Sequence, residues 1–176
     1  MNGPLAIPYA EIGITTNFSF LRGGSDPRVY VHEASRLGIP VIGIADHNTL
    51  AGVVRAYKEL ENSELATRPK LLIGSRLVFI NGTPDILAYP RDRAAYGRLC
   101  QLLTRGKRGD ECDKTDKGEC RLKFDDLLEF SEGQLLVLAL PHRFDAATSL
   151  EILRQLQHSR CLPHKQYAPD LMLVIQ

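Results

Sequence analysis

The stretch GIADHNTLAG, Gly43 to Gly52, sets Asp46 and His47 side by side at the end of an apolar run. A neutral imidazole is a good metal ligand, and a neighbouring carboxylate can complete the coordination or orient the loop that carries it. Two residues do not make such a site. A catalytic zinc keeps about three protein ligands, and two- or three-metal clusters need several more, bridged by carboxylates. On spacing alone, such a pair is more often a helix cap or a hydrogen-bonded loop element. His142, directly after Pro141, could reach the same strand-end face, whereas His32 falls mid-helix and reads as a surface residue. His158, Cys161 and His164 form H-x-x-C-x-x-H, which can chelate a soft cation but lacks a fourth ligand. No G-x-S-x-G elbow, P-loop or G-x-G-x-x-G fingerprint is present, so serine hydrolase, nucleoside triphosphatase and dinucleotide-binding readings lack support.

The elements that would position Asp46 and His47 follow from periodicity. Tyr9 to Thr15 reads as a strand. Ser25-Asp26-Pro27 is a helix-start signal, with Tyr30, Ala34 and Leu37 on one helical face and Gly38 at the end. Pro40 to Ala45 is a short apolar strand, and Asn48 or Thr49 can cap a helix through Leu60. Leu71 to Ile80 is a strand broken by Gly74-Ser75-Arg76, and Asn81-Gly82 predicts a hairpin that returns Asp85 to Tyr89 antiparallel beside it. A helix over Ala94 to Thr104, a solvated loop over Lys107 to Lys123, a helix over Phe124 to Phe130, a strand over Gln134 to Leu140, a helix over Ala146 to Gln157 and a last strand over Leu171 to Ile175 complete the order. Strands alternating with helices predict an α/β fold with a mainly parallel sheet, open or closing into a barrel. The chain stops directly after a strand, as a fragment would.

Composition bounds the function. The 176 residues are 44% apolar, enough for one well-filled core. The 22 Lys or Arg nearly balance 21 Asp or Glu, so the whole chain lacks the positive field of a self-sufficient nucleic-acid binder. Locally, Arg91 to Lys123 carries ten Lys or Arg against six Asp or Glu, a surface that is either simply solvated or meets DNA or a protein partner. No apolar run approaches the ~20 residues of a membrane span, and Met1 to Pro8 has no basic-then-apolar leader pattern, so the expectation is a soluble, cytoplasmic protein without a membrane partner. Cys100, Cys112, Cys120 and Cys161 show no C-x-x-C pair and read as reduced thiols.

Four stretches, YAEIGITTNFSFLRGGSDP, LGIPVIGIADHNTLAGVVRAY, GSRLVFINGTPDILAYPRDRAAYGRLCQLLTRGK and GECRLKFDDLLEFSEGQ, together resemble the N-terminal PHP (polymerase and histidinol phosphatase) domain of bacterial C-family DNA polymerases, nearest to their error-prone, DnaE-like branch. The likeness runs in order from about Tyr9 to Leu140, with a charged, basic loop at about 105–123, and fades over 142–176, a divergent or truncated end. It implies an N-terminal PHP domain, or a fragment of one, over 1–176, with a PHP-type distorted (β/α) barrel incomplete at the C-terminus. Active PHP domains carry an H-x-H pair on the first strand, an acidic or histidine residue next, a histidine after the second strand, a glutamate after the third, and further ligands later. By the resemblance, the first pair falls on Gly13 and Thr15, the next position on Arg22, the glutamate position on or next to Ser75 and Arg76, and the second-strand histidine on His47, with Asp46 beside it. Asp46 and His47 are then the remnant of a metal site whose other positions have degenerated.

The resemblance therefore implies a piece of a polymerase used in DNA replication, repair and damage-induced translesion synthesis, with no catalytic residue in this chain and a scaffolding role. No cofactor is expected on the chain, zinc or manganese at low occupancy being the alternative, and the magnesium ions of polymerisation would sit elsewhere in the parent. The expected partners are the remaining polymerase domains, DNA through the parent, damage-response accessory proteins, and a second copy of the fragment. Two rival readings stay open: a phosphoesterase with a rearranged site built from Asp46, His47, His142 and Glu11, and a module that binds DNA or a partner through its basic segment.

Overall fold

The computed structural model describes residues 9–62, 64–110, 113–114, 118–140, 145–158 and 170–175. They cluster into two compact units, Met1–Gly74 and Ser75–Gln176. In the first, β1 (Ala10–Ile14) lies parallel to β2 (Val41–His47), and the register shifts between Glu11 and Ile14. The connecting helix α1 (Pro27–Leu37) starts where Asp26 accepts a hydrogen bond from the Arg28 amide, has proline at its first position, and ends at Gly38 in the left-handed conformation, φ 67°. Proline costs nothing there because the first amides of a helix have no internal acceptor, and glycine takes a positive φ without a Cβ clash.

Helix α2 (Val53–Asn62) starts later than the Asn48/Thr49 capping signal implies. Asn48 takes a left-handed φ of 50°, and the Thr49 hydroxyl accepts from the Ala51 amide at 3.2 Å, so these residues build a turn ahead of the helix. Val31, Ala34, Ile42, Ile44, Val53 and Ala56 form this unit's core. Each large side chain so buried stabilises by roughly 1.5–3 kcal/mol. β2 is buried along almost its whole length, which explains its unbroken apolar text.

Strand β3 (Lys70–Leu77) begins in the first unit, next to β2, and ends in the second, where the order runs on through β4 (Ile86–Pro90) and β7 (Gln134–Leu140) to β8 (Asp170–Ile175). The break expected at Gly74-Ser75-Arg76 is absent: Ser75 and Arg76 pair with Ala88 and Leu87 of β4 (Ile86–Pro90). Asn81-Gly82 does make the predicted return, with Gly82 at φ 77°. β7 (Gln134–Leu140) is also antiparallel to β4, whereas β8 (Asp170–Ile175) runs parallel to β7. The second unit is thus mixed where a mainly parallel sheet was expected, because the tight hairpin reverses β4 and β7 then pairs against the reversed strand.

The segment expected to be a solvated loop is partly structured. Helix α3 (Arg93–Arg108) continues into it, followed by the two-residue pair β5 (Gly109–Asp110) and β6 (Asp113–Lys114). Leu122, the lone large apolar residue there, is fully buried and bridges Phe79, and the Arg121 amide donates to the Gly106 carbonyl at 2.8 Å. Gly106 leaves no space: a Cβ on it would lie 2.5 Å from Leu122 Cδ2. Helices α4 (Phe124–Phe130) and α5 (Ala146–His158) match their expected ranges, α5 extending one residue further. Among the described residues no helix is long and apolar enough to cross a membrane.

Candidate functional site

Asp46, next to last in β2, is wholly buried. A carboxylate removed from water needs charge-assisted hydrogen bonds, and the loop after β1 supplies them. The Thr16 amide and the Ser19 hydroxyl donate to Oδ1 at 2.8 and 2.7 Å, and the Thr16 hydroxyl donates to Oδ2 at 2.8 Å. Ser19 Oγ in turn accepts from the His47 amide at 2.9 Å, so one hydroxyl joins the aspartate to the next backbone group. The loop closes on itself as well. The Ser19 carbonyl accepts from the Arg22 and Gly23 amides, and the Asn17 amide donates to the Ser25 carbonyl.

Two glycines make this packing feasible. A Cβ on Gly52 would lie 2.5 Å from Asp46 Oδ2 and 2.9 Å from Thr16 Oγ1, and a Cβ on Gly23 would lie 2.3 Å from the Thr16 carbonyl oxygen. Thr16 and Ser19 together bring three donors onto the two oxygens of the Asp46 carboxylate. Thr16, Ser19, Gly23 and Gly52 are the residues that sequence reasoning passed over. The available signal was the density of Thr, Ser and Gly in TTNFSFLRGG opposite an aspartate at a strand end.

The other sequence-derived positions are placed as follows. Gly13 lies on β1 and its amide donates to Glu11 Oε1 at 3.1 Å, while Tyr9 donates to the other Glu11 oxygen at 2.5 Å. That hydrogen bond and the adjacent negative charge raise the Tyr9 phenol above its ordinary pKa. The Thr15 carbonyl accepts from the Tyr30 hydroxyl at 3.2 Å, and Arg22 is exposed. In the second unit Arg76 is largely buried, its Nη1 3.5 Å from Asp85 Oδ2 and its Nε buried without a hydrogen-bond partner among the described residues. His32 is exposed, with Nε2 2.8 Å from Glu59. His158 is the last residue of α5; His142, Cys161 and His164 lie outside the described residues. The described residues contain no group of three or more His, Cys, Asp or Glu placed to hold a metal ion.

In the basic segment Arg105 and Arg98 are tied down. Arg105 makes two hydrogen bonds to the Glu129 carboxylate, lies 3.5 Å from Asp126 and stacks over Phe130 at 4.6 Å. The Glu129 hydrogen bonds raise its pKa further. Arg98 donates to the Glu132 carbonyl at 2.8 Å.

A buried strand-end aspartate clamping the loop after the first strand of an α/β sheet is set in a chain that belongs to the PHP domain family, which matches residues 13–168. The matched relatives are longer proteins, and the chain corresponds to their N-terminal region. The error-prone DNA polymerase of Bradyrhizobium diazoefficiens (strain USDA 110) is 74% identical over 160 residues, which is 91% of this chain and 14% of that polymerase. The error-prone DNA polymerase of Bradyrhizobium sp. (strain ORS 278) is 69% identical over 153 residues, 87% of this chain and 13% of the relative. Among solved structures, an amidohydrolase from Chromobacterium violaceum with bound sulfate and no metal shares the fold at a TM-score of 0.62 and 12% identity, over 85% of this chain and 74% of that one.

Proposed function

We propose that this chain is the PHP portion of an error-prone DNA polymerase, retained as a scaffold for the polymerase body, with its ancestral cation site dismantled. The observation that carries the reading is the Asp46 network: a fully buried carboxylate whose oxygens are taken up by Thr16 and Ser19. A metal on this carboxylate would compete with donors already in place, and each donor it displaced would be left unpaired in the interior at a cost of about 1–3 kcal/mol. Where the resemblance puts the family's other ligands stand Gly13 and Thr15, which have no imidazole, and Arg22, with Ser75 and Arg76 at or next to the glutamate position; the arginine charges repel a cation. The identity to error-prone polymerases supports the parent assignment.

In this reading the chain polymerises nothing by itself. The magnesium-binding acids, the main DNA contacts and the damage-response partners belong to the parent, in the cytoplasm, and zinc or manganese does not occupy Asp46 and His47. The test is elemental analysis of the purified protein after growth in zinc- and manganese-supplemented medium. The expected result is well under one ion per chain and no phosphoesterase activity. Stoichiometric metal together with a phosphoesterase activity that His47→Ala abolishes would overturn it.

A further inference from the structure

The clamped loop carries an unusual load. Phe20 is 85% and Leu21 is 87% exposed, consecutive and nearly bare, on the loop whose base is fixed by buried Asp46, Thr16 and Ser19. A scattered exposed leucine is ordinary, but two large apolar side chains at the tip of a rigidly held loop are not. Leu21 also holds φ at 61°, a left-handed conformation that an L-residue with a side chain rarely adopts. The Arg22 and Gly23 amides closing onto the Ser19 carbonyl keep it there.

We infer that Phe20 and Leu21 form a preorganised knob that seats in an apolar socket on the polymerase body, the polypeptide lying outside the matched segment. The inference rests on the scaffold reading above. Relatives 74% and 69% identical carry the matched segment as only 14% and 13% of their length, so most of such a polymerase lies outside it. Charge argues against nucleic acid as the occupant. Residues 1–74 contain seven Lys or Arg and seven Asp or Glu, and the nearby Arg28 and Arg55 are both paired to Asp26, at 2.9 Å each. An aliphatic Leu21 offers no face for stacking a base, whereas a Phe-Leu pair with its backbone already ordered loses little entropy on docking into an apolar pocket.

The experiment uses the complete Bradyrhizobium diazoefficiens polymerase carrying this chain in place of its matching segment. A photo-crosslinking phenylalanine analogue at position 20 is expected to crosslink within the same polypeptide, to residues beyond the grafted segment. Phe20→Asp with Leu21→Asp should shift docking roughly a hundredfold, read as faster proteolytic release of the segment. The same pair in the 176-residue chain alone should leave its melting temperature unchanged. Leu21→Gly, which removes the side chain and relaxes the backbone, should weaken docking partially while keeping the loop folded. Crosslinks to DNA or to a second copy, or no crosslink, would overturn the knob. So would release unaffected by the double variant, which leaves the scaffold reading standing. Failure of that reading shows separately, as a polymerase whose body is equally stable when the whole segment is deleted.

Discussion

Asp46 and Arg76 both fall where the family resemblance places a cation site or its flank, yet they have been absorbed into the protein in opposite ways. Asp46 is fully buried, and chain donors meet both of its oxygens at 2.7–2.8 Å. Arg76 is less enclosed, its side chain 14% exposed, with a 3.5 Å contact to a partly exposed Asp85 and an Nε that has no hydrogen-bond partner among the described residues. One charge has its hydrogen bonds met by the framework; the other has a long ion-pair contact and an unsatisfied donor. How firmly a buried charge is built into the fold is read from how completely its hydrogen bonds are met.

This contrast predicts graded responses. Asp46→Ala should cost the most, about 3–5 kcal/mol in equilibrium denaturation, because it leaves the Thr16 and Ser19 donors stranded in the interior. A loss under 1 kcal/mol would erase the distinction between the two charges. Gly52→Ala should cost about 1–3 kcal/mol through the 2.5 Å approach to Asp46 Oδ2, without touching any charge. If it proves neutral, the loop is softer than the packing implies.

A smaller effect concerns the loop's exit. Hydrogen bonds from the Arg28 side chain and amide, helped by Arg55, hold the Asp26 carboxyl well below the ordinary carboxylate range. A depressed folded-state pKa means that the unfolded chain binds the proton first as pH falls. The stabilisation is therefore present above about pH 4 and is lost as pH drops toward the folded value. Melting temperatures compared at pH 7 and pH 3 should show a shallower decline for Asp26→Asn than for the parent chain, and equal slopes would contradict the assignment. Arg76→Met should change stability least, by no more than about 1 kcal/mol in either direction, since a desolvated and poorly paired charge is exchanged for packing. A loss of several kcal/mol would show that Arg76 is as well integrated as Asp46.

Local chemistry made part of this legible in the sequence. Asp26-Pro27 and Gly38 delimit α1, and Asn81-Gly82 turns β3 back as β4, because each signal depends only on residues next to each other. The pairing of Asp46 with Thr16 and Ser19 spans 27 to 30 residues and has no periodicity to betray it. Leu122 was hidden for a related reason: one leucine among charges looks solvated until Phe79 and Gly106 close around it. The direction of β7 was likewise not local, since a long connection through α3 and α4 permits either sense.

We propose that Asp46 stabilises the fold through its hydrogen bonds to Thr16 and Ser19 and not through a cation. Anything bound only to the native state raises its melting temperature in proportion to the logarithm of ligand over Kd. Thermal unfolding of the wild-type chain in excess chelator, compared with excess zinc or manganese, should therefore give the same midpoint within error. A midpoint that rises by several degrees with metal, and whose rise disappears in Asp46→Asn, would contradict the account.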